Sequence, residues 1–267
     1  MTSIDPSAVP SADLRLALVQ STLAWHDPAA NHRHLQALLE QARGADLVIL
    51  PEMFSTGFSM ESAELAEPED GPSTRWLLEQ ARRLDAVVTG SLIIRDRDGH
   101  CRNRLVWARP DGSQAHYDKR HLFRMAGEHH HYSAGDEQVL LTVKGWRIRP
   151  LICYDLRFPV WSRDPAGTDL LLYTANWPAA RRQQWNRLLP ARGIENLCYV
   201  AAVNRVGEDG KGHAYSGDSQ VLDFLGEPQL QAGEDEGVWQ VSLSASALAA
   251  HRQRFPAHLD ADGFQLN

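Results

Sequence analysis

The stretch Leu151-Ile152-Cys153-Tyr154-Asp155-Leu156-Arg157-Phe158-Pro159 places a cysteine where a strongly apolar run stops. Arg147 to Cys153 reads as a buried strand, and the charged and proline residues that follow turn the chain. A thiol at the end of a core strand is held rigidly yet open to a pocket, as covalent catalysis requires. Working outward, Leu14 to Gln20, Asp46 to Leu50 and Ala86 to Ile94 read as strands, separated by helical patterns over Ala29 to Arg43 and Ser73 to Leu84. Asp98-Gly99 and Pro110-Asp111-Gly112 are hairpin signals, so antiparallel pairs enter the sheet. Beyond the cysteine the theme repeats. A helix starts near Tyr154, Asp169 to Thr174 forms a strand, and a long helix runs from Ala179 to Leu197 with a kink or break expected at Pro190. Tyr199 to Asn204, Ser219 to Phe224 and Val238 to Leu243 complete the strands, and a last helix reaches Arg254.

This order is α/β. No linker, charge block or repeat divides the chain, so residues 1–267 are expected to form a single domain with two half-buried sheets face to face and helices outside. Phe255, Leu259, Phe264 and Leu266 make the tail 255–267 too apolar for a free end, and it is expected to pack on the domain or on a partner subunit.

Composition narrows the function. A hydrophobic fraction of 43% supplies a substantial core, and the 27 basic residues are scattered among 34 acidic ones, which disfavours nucleic acid as a partner. The first residues lack the basic and apolar regions of a signal peptide, and no apolar stretch approaches the roughly 20 residues that span a bilayer. Three widely spaced cysteines suggest neither a disulfide framework nor a zinc site, and the expected compartment is the reducing cytoplasm.

Two further reactive side chains fall at strand ends: Glu52 after Leu47-Val48-Ile49-Leu50-Pro51, and Lys119 after Ala115-His116-Tyr117-Asp118. A free thiol has a pKa of about 8.5 and needs a base or a cation beside it. Glu52 can be the base and Lys119 the cation that later faces an oxyanion, so no histidine is required. Singly, each residue has a plainer reading: Cys153 as a small buried hydrophobe, Glu52 as a loop acid, Lys119 as a solvated charge. Cys101 and Cys198 keep that plainer reading. His129-His130-His131 lacks a ligand pattern, and adjacent histidines in an extended segment point to opposite faces, so neither metal nor cofactor is expected.

Leu50-Pro51-Glu52-Met53-Phe54, Tyr117-Asp118-Lys119-Arg120-His121-Leu122-Phe123 and Cys153 to Pro159 resemble the three signatures of the nitrilase, or carbon–nitrogen hydrolase, superfamily. Their order and spacings of 67 and 34 positions agree with it. The resemblance implies a four-layer αββα sandwich that pairs into a homodimer, with Glu52 as general base, Lys119 as cation and Cys153 as nucleophile. It also implies that Glu128, in Gly127-Glu128-His129, orients Lys119, and that Asn176-Trp177 shapes the pocket wall. The stretch Asp118 to Glu128 looks most like the omega-amidase branch, which removes the terminal amide of α-keto acid monoamides such as 2-oxoglutaramate. Such a substrate carries a remote carboxylate, for which Arg157 and Arg124 are the candidate anchors by proximity in sequence. The backbone N–H of Tyr154 would assist Lys119 at the oxyanion. The alternatives are a nitrilase, an N-carbamoyl amide hydrolase, a deaminated-peptide amidase, or a catalytically silent interaction module.

Overall fold

The first strand, β1 (Leu14–Gln20), shows how the sequence builds layers. Leu14, Leu16 and Leu18 enter a core shared with the second sheet, whereas Ala17 and Val19 enter one shared with helices. Successive strand side chains point to opposite faces, and with both faces covered the strand reads as a continuous apolar run. The computed structural model describes residues 10–163, 167–264 and 266.

In chain order the first half continues with α1 (Pro28–Leu39), β2 (Leu47–Ile49), a helical turn α2 (Ser62–Leu65), β3 (Glu67–Pro68), α3 (Pro72–Leu84), β4 (Val87–Arg95), β5 (Cys101–Ala108) and β6 (Gln114–Asp118). Next come β7 (Leu141–Val143), β8 (Trp146–Ile152), a second helical turn α4 (Pro159–Ser162), β9 (Leu170–Ala175), α5 (Arg182–Asn196) and β10 (Tyr199–Asn204). The hairpin β11 (Val206–Glu208) and β12 (Ala214–Ser216) precedes β13 (Gln220–Leu222), β14 (Pro228–Gln231), β15 (Gly237–Leu243) and α6 (Ala245–Arg254).

The strands form two large mixed sheets, ordered β15-β1-β2-β4-β5-β6, with β3 beside β4, and β14-β13-β10-β9-β8-β7. In each, the central strands are parallel and the flanking pairs antiparallel. Leu47, Ile49, Leu105 and Trp107 of the first sheet share one core with Ile148, Leu170, Leu172 and Val200 of the second. On the outer face of the first sheet, Val48 and Val88 pack with Leu35 and Leu39 of α1 and with Trp76, Leu77 and Leu84 of α3. Trp185 and Leu189 of α5 and Leu248 of α6 cover the second sheet. The result is the expected αββα arrangement.

Local chemistry sets the helix limits. Asp27 caps α1 by accepting from Ala30 N, with Pro28 in the first turn, and α3 stops at Asp85 in the left-handed region (φ 50°). Two expectations differ from what is found. The segment after Cys153 is a short 3-10 turn (Cys153–Arg157), followed after Phe158 by α4, rather than one helix. Pro159 opens α4, and the residue before a proline is driven out of the helical region. Of the kink or break expected at Pro190, helix α5 shows no break. Proline removes one backbone bond, but buried Trp185 and Leu189 before it and buried Arg192 after it anchor both halves, and the Arg192 guanidinium donates to Leu156 O at 2.8 Å. In the tail, Phe255 and Leu259 are 55% and 76% exposed, so the subunit itself leaves them uncovered. No helix among the described residues is long and apolar enough to cross a membrane.

Candidate active site

Each candidate residue follows directly on a strand or a strand-linked turn. The loop after β2 is stitched to β4: Leu50 N donates to Thr89 O, and Met53 N to Ser91 Oγ at 2.8 Å. Gly90 makes this possible, since a Cβ there would lie 2.8 Å from Leu50 Cβ and 2.9 Å from Phe54. Glu52 thereby lands fully buried beneath the cavity. Lys119 follows β6, and its N–H donates to Asn103 O on β5. Cys153 follows β8, while Asn176 and Trp177 follow β9.

The side chains converge. Lys119 Nζ donates to Glu52 Oε1 at 2.9 Å and to both oxygens of Glu128 at 3.0 Å, and it sits 5.2 Å from the centre of the Phe58 ring. Glu128 also accepts from Phe123 N, and Glu52 Oε2 from Asn176 N at 2.8 Å. Asn103, which the sequence reading missed, donates Nδ2 to Glu52 Oε1 at 2.8 Å and to Glu128 Oε1 at 3.3 Å. A polar residue inside the strand Cys101–Ala108 was the one available signal. The Cys153 thiol donates to Asn176 O at 3.9 Å and lies near enough to the Glu52 carboxylate to be influenced by its charge. Cys153 and Met53, next to Glu52, have φ of 43° and 44°, a region that non-glycine residues seldom occupy and that recurs at functional sites.

The electrostatics follow from burial. Desolvation would lower the Lys119 ammonium pKa, but the carboxylates of Glu128 and Glu52 reverse this and raise it, so the lysine stays charged. Burial raises the pKa of Glu128, against the pull of Lys119. The Cys153 thiol is pushed well above its ordinary value by burial and by the charge of Glu52, with Lys119 opposing. At rest the sulfur is therefore a thiol with a carboxylate beside it. The arrangement is suited to removing that proton as the sulfur attacks, rather than to storing a thiolate.

A cavity of about 260 Å³ opens over Cys153 and Lys119, a size suited to a small metabolite. Phe58, Met60, Phe123 and Trp177 form apolar wall, and Tyr154 and Asn176 also line it. The Arg157 guanidinium stacks on Trp177 at 5.0 Å, and Arg181 lies over Phe123 at 5.2 Å. Among the described residues neither arginine has a carboxylate partner. Lys211 and His213, from the β11–β12 turn, complete the mouth. Arg124 is exposed and lies outside the lining. Arg181 and the turn residues were missed because they lie far from the three signatures. Asp96, Asp98 and His100 could hold a metal in an exposed turn, but Asp96 already accepts from Arg102 at 2.8 Å and the group is not part of this cavity.

Fold and site together define a carbon–nitrogen hydrolase. Residues 15–253 match the carbon-nitrogen hydrolase family model, and the chain belongs to that family. It is 52% identical to omega-amidase YafV of Yersinia enterocolitica over 95% of this chain and 98% of that protein. It is 31% identical to the 2-oxoglutaramate amidase of Bacillus subtilis, over 92% of this chain and 96% of that one. XC1258 of Xanthomonas campestris, a CN-hydrolase superfamily protein solved with an arsenic adduct in its active site, superposes with a TM-score of 0.93. That match has 53% identity and covers 96% of this chain and 100% of the other.

Proposed function

We propose that the protein is an omega-amidase that hydrolyses the terminal carboxamide of an α-keto acid monoamide, such as 2-oxoglutaramate, to the dicarboxylate and ammonia. The observation that carries this reading is a buried Glu52–Lys119–Glu128 cluster beside a cysteine, under a small cavity whose wall holds two guanidinium groups without a carboxylate partner among the described residues. The similarity to omega-amidases along nearly the whole chain supports the same choice of substrate.

Glu52 takes the Cys153 proton as sulfur attacks the amide carbon. The developing oxyanion is held by Lys119 and the backbone N–H of Tyr154. Glu52 returns the proton to the leaving nitrogen, ammonia departs, and a thioester remains. Water activated by the same carboxylate then releases the acid and restores the thiol. Glu128 and Asn103 keep Lys119 and Glu52 in register. Arg157, flattened on Trp177, receives the substrate's remote carboxylate, and Arg181 takes the second place that proximity in sequence gave to Arg124. Asn176 and Trp177 form part of the cavity wall.

Ammonia release from 2-oxoglutaramate, 2-oxosuccinamate, N-carbamoyl amino acids, simple nitriles and glutamine tests the reading. The keto acid monoamides should be preferred. Preference for nitriles or carbamoyl compounds would overturn the substrate, and silence on every compound would favour an interaction module. The exposed Phe255 and Leu259 fit a surface covered in a homodimer, for which light scattering should give about 60 kDa from chains of 29.9 kDa.

A further inference from the structure

The two catalytic side chains that must meet at the oxyanion come from different sheets, Lys119 after β6 of the first and Cys153 after β8 of the second. One buried carboxylate outside the cavity ties both together. Asp155 is fully buried, two residues beyond the nucleophile. Its Oδ2 accepts from Ile152 N at 3.0 Å and from Tyr117 Oη at 2.7 Å. Its Oδ1 accepts from His121 N at 3.0 Å and faces His121 Nδ1 at 2.8 Å.

The pattern is specific. Ile152 immediately precedes Cys153, and Tyr117 and His121 lie two positions to either side of Lys119. Each arm is held in turn. Trp161 Nε1 donates to Tyr117 Oη at 2.9 Å, and the His121 ring stacks on Phe158 with centroids 3.7 Å apart and planes within 5°. Asp155 does not line the cavity, so substrate chemistry does not account for it. A buried carboxylate must be well satisfied to be tolerated, and a cysteine at positive φ persists only where its surroundings over-determine it.

We propose that Asp155 is a positioning residue: by bonding the backbone before Cys153 and both flanks of Lys119, it fixes the thiol against the ammonium. This rests on the reading of Cys153 as nucleophile and Lys119 as oxyanion donor. Both backbone groups that Asp155 receives are donors, one on each oxygen. An asparagine offers one acceptor atom, so its NH2 must face either Ile152 N–H or His121 N–H whichever way the amide is turned.

The test is Asp155→Asn, measured for kcat and KM of ammonia release, for the thermal midpoint, and for the pH profile of Cys153 alkylation by iodoacetamide, beside Cys153→Ala, assayed for ammonia release and for the thermal midpoint. Asp155→Asn should lower kcat about 10- to 100-fold, leave KM within about twofold, and displace the alkylation profile from that of the wild type. A kcat within twofold of wild type, or a loss that tracks the unfolded fraction with an unmoved profile, would overturn the proposal. If Asp155→Asn does not fold, Tyr117→Phe, which removes one arm, should still lower kcat about 3- to 10-fold at unchanged KM; an unchanged kcat there overturns it. Full activity in Cys153→Ala would instead remove the underlying reading, so the two failures are distinguishable.

Discussion

Replacing Glu128 by glutamine probes whether the second glutamate holds the lysine in place. Glu128 receives four donor contacts: Lys119 Nζ on each oxygen, Asn103 Nδ2 on Oε1 and Phe123 N on Oε2. An amide keeps one accepting oxygen. Its NH2 would face Lys119 and either Asn103 or Phe123, so two buried contacts turn donor-to-donor. At about 1–3 kcal/mol for each buried group left unsatisfied, the two contacts together cost about 2–6 kcal/mol, and the variant should lose the lower part of that range, about 2–4 kcal/mol of stability. That is less than complete loss of a buried pair, because Glu52 still accepts from Lys119. With one flank of the ammonium gone, Lys119 leans toward Glu52, which weakens the base and withdraws the oxyanion donor. Misplacing such a donor costs about 2.7–4 kcal/mol in the transition state, or roughly 10²- to 10³-fold in kcat. Steady-state ammonia release from 2-oxoglutaramate, with a thermal melt to establish the folded fraction, measures both quantities. A kcat within threefold of wild type in a folded Glu128→Gln protein would refute the positioning role.

Arg157→Leu should raise KM for a keto acid monoamide about 10- to 100-fold, from about 1.5–3 kcal/mol for a hydrogen bond to a charged group, with little change in kcat; equal loss on an amide without a carboxylate would argue against the anchor. The β11–β12 turn should respond to acid. Burial opposes the charge of Asp209, yet hydrogen bonds from His213 N, Tyr215 Oη and Lys211 N outweigh it and hold the carboxyl below its ordinary range. A depressed pKa contributes stability above the unfolded value of about 3.9, and that stability is lost as pH falls through the lower folded value. Protection of the Lys211 and His213 amides from hydrogen exchange, relative to the intrinsic rate at each pH, should therefore fall below about pH 4. Protection that persists unchanged at pH 3 would contradict this.

The layers were readable because their cause is local. β1 and β10 occupy the expected residues, Leu14–Gln20 and Tyr199–Asn204, since strands covered on both faces become unbroken apolar runs bounded by polar residues. The positions of Glu52, Lys119 and Cys153 at strand ends were readable for the same reason. What escaped the sequence depends on contacts between distant segments. Nothing around Asn103 says that it will face two glutamates, and Asp209-Gly210-Lys211-Gly212-His213 has the composition of any solvated turn, although it folds over the cavity. Asp155 sat inside a quoted signature without a role, because its partners Tyr117 and His121 lie 38 and 34 positions away. Of the kink or break expected at Pro190, the break does not occur, because tertiary packing on Trp185, Leu189 and Arg192 holds the helix continuous.

The account rests on sulfur chemistry at one position, and ammonia release by folded Cys153→Ala with 2-oxoglutaramate tests that most directly. Turnover should drop to background while the thermal midpoint stays near that of the wild type. Retained turnover in that variant would contradict it.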